Sequence, residues 1–163
     1  MNSQAPNPAS SSTSMPRSLI LLLATAVGVI AANLYYAQPL TAMISHALGL
    51  APEAAGLVVT LTQLGYGLGV LFFAPLGDIV ENRRLVLTLI GVAIFGLLGL
   101  AYVTEWIPYC IAAFATGVGA SSVQIIVPFA AHLTPDAKRG QVVGNLMSGL
   151  MLGIMLSRPI ASL

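Results

Sequence analysis

The sequence predicts an all-α polytopic membrane protein, and three observations lead to that prediction. Of the 163 residues, 57 % are apolar and only 7 % are charged, whereas a soluble domain carries about 25 % charged residues. Five apolar runs reach the length of about 20 residues that a helix needs to cross a bilayer. The runs exceed the length of barrel strands and lack alternation, so helices joined by short connections are favoured over a β-barrel.

Composition excludes several classes of function. The net charge of +1 provides no basic field to neutralise phosphates, so we expect no nucleic-acid partner. Cys110 is the only cysteine, which rules out a disulfide framework and a thiolate metal cluster. His46 and His132 are far apart in sequence, and no zinc spacing exists. We therefore expect neither a metal nor another cofactor.

The amino-terminal segment 1–17 is rich in Ser, Asn, Gln and Pro and has no apolar period. This composition predicts a disordered cytoplasmic tail. A signal peptide is the alternative for the run that follows, with Arg17 as its charged head. The run from Leu19 to Met43 is longer than a usual signal segment, and more spans follow it, which favours a retained first helix.

The predicted helices, in chain order, are 18–45, 54–77, 85–104, 107–132 and 140–163. Because the connections are short, consecutive helices are antiparallel, and five of the six basic residues then fall on one side of the bilayer. They are Arg17, Arg83, Arg84, Lys138 and Arg139. The positive-inside rule makes that side cytoplasmic. The chain is thus predicted to have a cytoplasmic amino terminus, with residues 18–163 as its membrane domain.

Small residues in two spans predict close helix packing. Gly65 and Gly69 lie four residues apart in the second span, and Gly149 and Gly153 repeat that spacing in the fifth. Small residues at this spacing let two membrane helices approach each other closely. We expect a tightly packed bundle rather than separate anchors.

Polar side chains within the spans are candidates for a substrate cavity, because a polar group in lipid needs a partner or a water-filled space. The candidates are Asn33, Tyr36, Gln38, Gln63 and Gln124. The alternative is that they make hydrogen bonds between helices or, for the tyrosine, belong to an interfacial belt. No Asp or Glu lies near the middle of a span, so a proton-carrying carboxylate is missing from this chain.

Arg158 is the one charge well inside an apolar run. It lies about 27 Å along the fifth helix from Gly140, near the outer face of a hydrocarbon layer about 30 Å thick. Its guanidinium could extend to the interface, or it could face the cavity and there bind an anion or act as a gate. Both alternatives stay open.

An intramembrane hydrolase is excluded on geometry. Ser121 and His132 would be a candidate pair in the fourth helix, but their positions along it are about 16 Å apart. A nucleophile and its base must lie within about 3 Å. We therefore expect no enzyme.

The connection between the second and third spans resembles the signature loop of the major facilitator superfamily, Gly-x-Leu-x-Asp-x-x-Gly-Arg-Lys/Arg. The matching residues are Leu76, Asp78, Arg83 and Arg84, and the departures are Ala74, Glu81 and Asn82. Gly117, Gly119 and Pro128, followed by Arg139-Gly140, resemble the fourth helix of that family and its exit. The segment from Asn33 to Leu40 is similar to first helices of bacterial drug- and sugar-efflux-like members, and the likeness covers residues 18–163.

This resemblance implies five helices of a six-helix amino-terminal half, incomplete, from a transporter that moves a small-molecule substrate by alternating access. It implies efflux, a bilayer location in the bacterial inner membrane, and a cavity lined by the first and fourth helices. It further implies a cytoplasmic latch formed by Asp78 with Arg83 and Arg84, the arginines pairing with acids such as Asp136.

The superfamily has twelve spans in two halves, whereas this sequence contains five predicted spans. We therefore expect a fragment or truncated product whose missing second half, or a partner chain, completes the cavity. The alternative is a truncated, non-transporting membrane protein that acts only as a packing or partner subunit.

Overall fold

The computed structural model describes residues 15–47, 52–77 and 79–161; the side chains at 36–47, 52–55, 158 and 161 lie outside that description. All regular secondary structure among these residues is α-helical. The helices are α1 (Arg17–Ala47), α2 (Pro52–Leu76), α3 (Asn82–Tyr102), α4 (Trp106–Ala120), α5 (Val123–His132) and α6 (Asp136–Ala161).

Five segments of these helices are long and apolar enough to cross a membrane, which confirms the predicted fold class. They are Arg17–Tyr35, Gly56–Leu76, Asn82–Tyr102, Trp106–His132 and Asp136–Ser157. The last begins four residues before the predicted start at 140, because the basic residues Lys138 and Arg139 belong to the first turns of α6. Asp136 occupies its first turn, where a carboxylate interacts favourably with the helix dipole.

The fourth predicted span, 107–132, corresponds to the segment Trp106–His132, but its helix is interrupted once, which the sequence did not predict. Helix α4 ends at Ala120, and a tight turn at Ser121 and Ser122 precedes α5. The amides of both serines bond three residues back, at 3.2 Å, to the carbonyls of Val118 and Gly119, which is the 3₁₀ pattern. The Ser121 hydroxyl also donates to the Val118 carbonyl at 2.7 Å, so the side chain competes with the α-helical bond.

Two seams of close backbone contact hold the bundle together. Helix α1 packs mainly on α6, and α4 packs on α2 and α3. In the α1–α6 seam, a Cβ added at Gly28 would lie 2.5 Å from the Gly149 carbonyl oxygen. In the α2–α4 seam, a Cβ at Gly65 would collide with the carbonyl oxygen of Phe114, and one at Gly117 with that of Thr62. Neither seam has space for a side chain at these glycines.

The largest buried cluster joins α1, α5 and α6, and the outward faces are apolar. The cluster consists of Val27, Val123, Ile126, Val127, Ala130, Val142 and Leu146. Phe72, Phe95 and Met155 are exposed by 65 %, 77 % and 70 %. Such a surface suits lipid rather than water as the surrounding solvent.

Candidate functional site

A cavity of about 400 Å³ lies between α1, α2, α5 and α6. Four polar side chains line it: Tyr35 from α1, Gln63 and Tyr66 from α2, and Gln124 from α5. The apolar lining consists of Ala31, Leu34, Ala120, Val123, Leu150 and Ile154. Tyr66 lies at the midpoint of the span Gly56–Leu76, so the cavity reaches the middle of that span.

Two local features aim the amides at this cavity. Gln63 and Tyr66 are three residues apart on α2, a spacing that places both on one helix face. Gln124 is the second residue of α5, directly after the serine turn. Its Nε2 donates a hydrogen bond of 2.7 Å to the phenol oxygen of Tyr66. This bond connects α5 to α2 across the cavity wall.

A second cavity, of about 410 Å³, lies at the end of the bundle that is predicted to be cytoplasmic. Its lining is Ala74, Gly77, Asn82, Gln124, Ile125, Pro128, Phe129 and His132. Gln124 lines both cavities. Its amide and the bond to Tyr66 therefore stand between the central cavity and the inner one.

The inner cavity also contains an unsatisfied polar atom. Asn82 Oδ1 is buried and has no hydrogen-bond partner among the described residues. The oxygen lies close to Gly77, since a Cβ added at that glycine would be 3.0 Å from Asn82 Oδ1. It is therefore confined at the start of α3. A buried acceptor of this kind is costly unless something bonds to it.

The chemistry of the central cavity is that of neutral hydrogen bonding. The described lining offers two amides and two phenols and no charged side chain. Amides and phenols donate and accept hydrogen bonds, and aromatic rings provide apolar faces. Nucleophilic chemistry has no support, since the Ser121 hydroxyl is buried and bonded to a backbone carbonyl.

The structure brings together part of the predicted cavity set. Gln63 and Gln124 line the central cavity, whereas Asn33 is half-buried outside its lining. The side chains of the other three candidates lie outside the described residues; they belong to Tyr36, Gln38 and Arg158.

Tyr35 and Tyr66 also line the cavity and are not among the predicted candidates. The three-residue spacing from Gln63 is a signal that could have identified Tyr66. Choosing Tyr35 over Tyr36 requires knowing how α1 is rotated about its axis, which its neighbours in the bundle decide.

The ion pairs at the predicted cytoplasmic end are local. Arg84 pairs with Glu81 at 2.8 Å, and Arg139 pairs with Asp136 at 2.8 Å. Both pairs join residues three positions apart, where side chains are helix neighbours. Asp136 thus has its own partner in this structure, and its pairing with the arginines of the second connection stays a prediction. Asp78 lies outside the described residues.

Comparison with known proteins adds a family to this geometry. Residues 21–163 match the family model described as Major Facilitator Superfamily. The chain is 43 % identical over 145 residues to "Uncharacterized transporter YgaY" of Escherichia coli O157:H7, which covers 89 % of this chain and 37 % of that protein. It is 35 % identical over 147 residues to "Probable transporter SCO4007" of Streptomyces coelicolor, covering 90 % and 34 %.

A more distant relative is "Uncharacterized MFS-type transporter YbcL" of Bacillus subtilis, 28 % identical over 149 residues, with 87 % of this chain and 38 % of that protein covered. The chain therefore spans little more than a third of the length of these curated relatives. No solved structure matches it.

Proposed function

The chain belongs to the major facilitator superfamily, and on that premise we propose that it forms part of a transporter that moves a small solute by alternating access. The observation that supports this most directly is the central cavity, where Gln63, Tyr66 and Gln124 converge at mid-membrane depth. Transporters of this kind bind their substrates near the bilayer midplane, at the interface between repeats.

We further propose that the solute is uncharged and carries hydroxyl or amide groups. The described lining supplies neutral donors and acceptors from two amides and two phenols, and the tyrosine rings add apolar surface. A solute with matching groups would replace the hydrogen bonds that these side chains otherwise make to water. Discrimination would then come from amides left unpaired when the wrong solute enters.

Direction and membrane are part of the same proposal. We propose export across a bacterial inner membrane, with the amino terminus in the cytoplasm. The three relatives are bacterial and named as transporters. Arg17, Arg83, Arg84, Lys138 and Arg139 lie at one end of the helices, as the positive-inside rule requires of a cytoplasmic face.

The experiment is a transport assay in which the full-length product of the gene is reconstituted into lipid vesicles. Radiolabelled sugars, sugar alcohols and uncharged amides serve as solutes. Tyr66→Phe removes only the hydroxyl that accepts from Gln124, and we expect a transport rate lowered about tenfold, as losing one hydrogen bond of about 1.4 kcal/mol implies.

Tyr102→Phe is the matched control, because the Tyr102 ring is 81 % exposed on the outside of α3. Its transport should equal that of the wild type. Equal transport by the Tyr66 variant at equal protein content would contradict the cavity assignment. Failure of every solute to move would contradict the transport proposal itself.

We also propose that Asp78, Arg83 and Arg84 act as a cytoplasmic latch with acids such as Asp136. Support comes from the signature-like sequence and from the exposed Arg83, which has no ion-pair partner among the described residues. In alternating access, such a latch would break and re-form as the two halves of a transporter move.

Charge reversal tests the latch. We expect Asp78→Lys to abolish transport while leaving the amount of inserted protein unchanged, because the repulsion acts between moving parts and not on helix insertion. Glu81→Lys is the control in the same connection, since the Glu81 carboxylate pairs locally with Arg84 at 2.8 Å. Equal transport by both variants in the vesicle assay would reject the latch role of Asp78.

A further inference from the structure

The inner cavity, between the end of α2, the start of α3 and α5, is as large as the central one. Its volume of about 410 Å³ lies within the roughly 300–1,000 Å³ that small-molecule sites occupy. Three polar side chains line it, from Asn82, Gln124 and His132, and Ile125 and Phe129 add apolar surface. The proposed solute site uses only Gln124 of this lining, so the inner cavity needs its own explanation.

One face of α5 forms the polar wall of the inner cavity. Gln124, Pro128 and His132 follow one another at intervals of four residues, a spacing that places side chains on one helix face. All three line the cavity. The wall thus extends from Gln124, whose amide donates to the Tyr66 phenol at 2.7 Å, to the end of α5 at His132.

The proline in this wall frees a backbone acceptor. Pro128 has no amide hydrogen, so the carbonyl of Gln124, four residues before it, lacks its usual helical donor. Both residues line the inner cavity and belong to the span Trp106–His132. A freed carbonyl at membrane depth is tolerated where it lines a water-filled cavity or gains another partner. The wall therefore offers a carbonyl in addition to the Gln124 side chain.

A second acceptor without a donor lies at the start of α3. Asn82 Oδ1 is buried and bonds to no other described residue. It is enclosed against Gly77, and rotation about the last side-chain torsion, which is broad for asparagine, would turn the amide within the cavity. Two acceptors that lack donors favour an occupant that brings O–H or N–H groups.

We propose that the inner cavity is a second binding site for the uncharged solute of the central cavity, whose hydroxyl or amide groups donate to Asn82 and to the Gln124 carbonyl. The inference rests on the proposed function, from which it takes the solute class. No Asp, Glu, Lys or Arg is among the described lining residues, so nothing in them favours a charged solute. Gln124 would exchange its bond to Tyr66 for one to the solute as the solute passes between the cavities.

Thiol protection in the full-length protein, held in lipid nanodiscs, tests this site. Every native cysteine is replaced, Cys110 by alanine. Ala74→Cys reports on the inner cavity and Ile154→Cys on the central one, since each residue lines only its own cavity. A small charged methanethiosulfonate labels the thiols with and without the sugars, sugar alcohols and uncharged amides of the transport assay. At ten times its dissociation constant, a bound solute should slow labelling at both reporters about tenfold.

The outcomes separate this site from the proposed function. Protection of Ile154→Cys alone would overturn the second site and leave the proposed function intact. Protection of neither reporter would contradict both. If Ala74→Cys is not labelled even without solute, another part of the protein fills the inner cavity, and the second site is overturned as well.

Removal of the asparagine acceptor sharpens the test. With the Ala74→Cys reporter, Asn82→Leu should require about tenfold more solute for half-maximal protection, as expected for the loss of one hydrogen bond. Thr88→Val is the matched control on α3, because the Thr88 hydroxyl is exposed and donates at 2.9 Å to the Arg84 carbonyl of its own helix. Equal solute concentrations for the two variants would overturn the role of Asn82.

Removal of the proline tests the freed carbonyl without threatening the fold. Pro128→Ala supplies an amide hydrogen that can occupy the Gln124 carbonyl, and it makes α5 a more regular helix. We expect protection of Ala74→Cys to weaken about tenfold, because one acceptor is lost to the solute. Pro135→Ala is the control, since Pro135 lines neither cavity. Unchanged protection in Pro128→Ala would overturn the carbonyl as a solute ligand.

Discussion

The two glycine-rich seams of the bundle share their packing chemistry and differ in what covers them. In the α2–α4 seam and the α1–α6 seam alike, backbone meets backbone at glycines. Helix α4 is covered on a further side by α3, which approaches it closely at Gly96 and Gly119. The α1–α6 seam instead opens into an apolar groove of about 490 Å³ that no described helix covers.

The burial of the spans sets α4–α5 apart from the other helices of both seams. The span Trp106–His132 is 67 % buried, whereas Arg17–Tyr35, Gly56–Leu76 and Asp136–Ser157 are 33 %, 22 % and 17 % buried. Small residues alone therefore do not determine whether a membrane seam is closed by protein. The α4–α5 span is the centre of the described bundle, and the α1–α6 pair borders it.

The largest expected effect is a disruption of the covered seam. Gly65→Leu should lower the free energy of unfolding by about 3 kcal/mol, the upper range for overpacking, because its Cβ would collide with the Phe114 carbonyl oxygen. Gly67→Leu is the control in the same helix, with nothing within 4 Å of its Cβ. Unfolding by SDS, followed through the single tryptophan, Trp106, compares them; equal stability would show that the seam is not closely packed.

The α1–α6 seam should tolerate a leucine in place of a glycine better than the α2–α4 seam does. We expect Gly153→Leu to cost about 2 kcal/mol, although its Cβ would meet the Gly28 carbonyl oxygen, because α6 can move away in the part of the chain that the structure describes, where no described helix covers the groove. Gly144→Leu, in open space on α6, is the control, and the same SDS titration applies. A cost as large as that of Gly65→Leu would remove the distinction between the seams.

The smallest expected effect concerns the serine turn. The Ser122 hydroxyl is fully buried and has no hydrogen-bond partner among the described atoms, so Ser122→Ala should be neutral or stabilise the protein by up to about 1 kcal/mol. Ser121→Ala, which removes the donor to the Val118 carbonyl, should cost about 0.5–1 kcal/mol. Thermal unfolding by circular dichroism compares the two; a larger loss for Ser122→Ala would mean that its hydroxyl has a partner.

Much of the fold could be predicted from the sequence, because hydrophobic length is a local property. The five spans follow from apolar runs, and local polarity was enough to select Gln63 and Gln124. The break at Ser121 and Ser122 was not predictable from hydropathy, since its residues are as compatible with an apolar helix as with a 3₁₀ turn.

The contacts of the site that join different helices could not be predicted from the sequence. The bond between Tyr66 and Gln124 joins residues far apart in sequence, so it depends on how α2 and α5 pack. The local pair between Asp136 and Arg139, by contrast, has a spacing that the sequence displays. Close partners on the same helix compete with distant ones, and the pairing of Asp136 with the arginines of the second connection stays a prediction.

The most direct test of the central claim, that the polar cavity is a water-accessible path for a solute, is cysteine accessibility at two adjacent residues. With the single native cysteine replaced in Cys110→Ala, Gln63→Cys and Leu64→Cys are exposed to a charged, membrane-impermeant methanethiosulfonate in intact membranes. Gln63 lines the cavity, whereas Leu64 is 53 % exposed on the outer surface. Thiols react as thiolates, which need water. The cavity predicts labelling of Gln63→Cys many times faster than of Leu64→Cys; equal rates would contradict it.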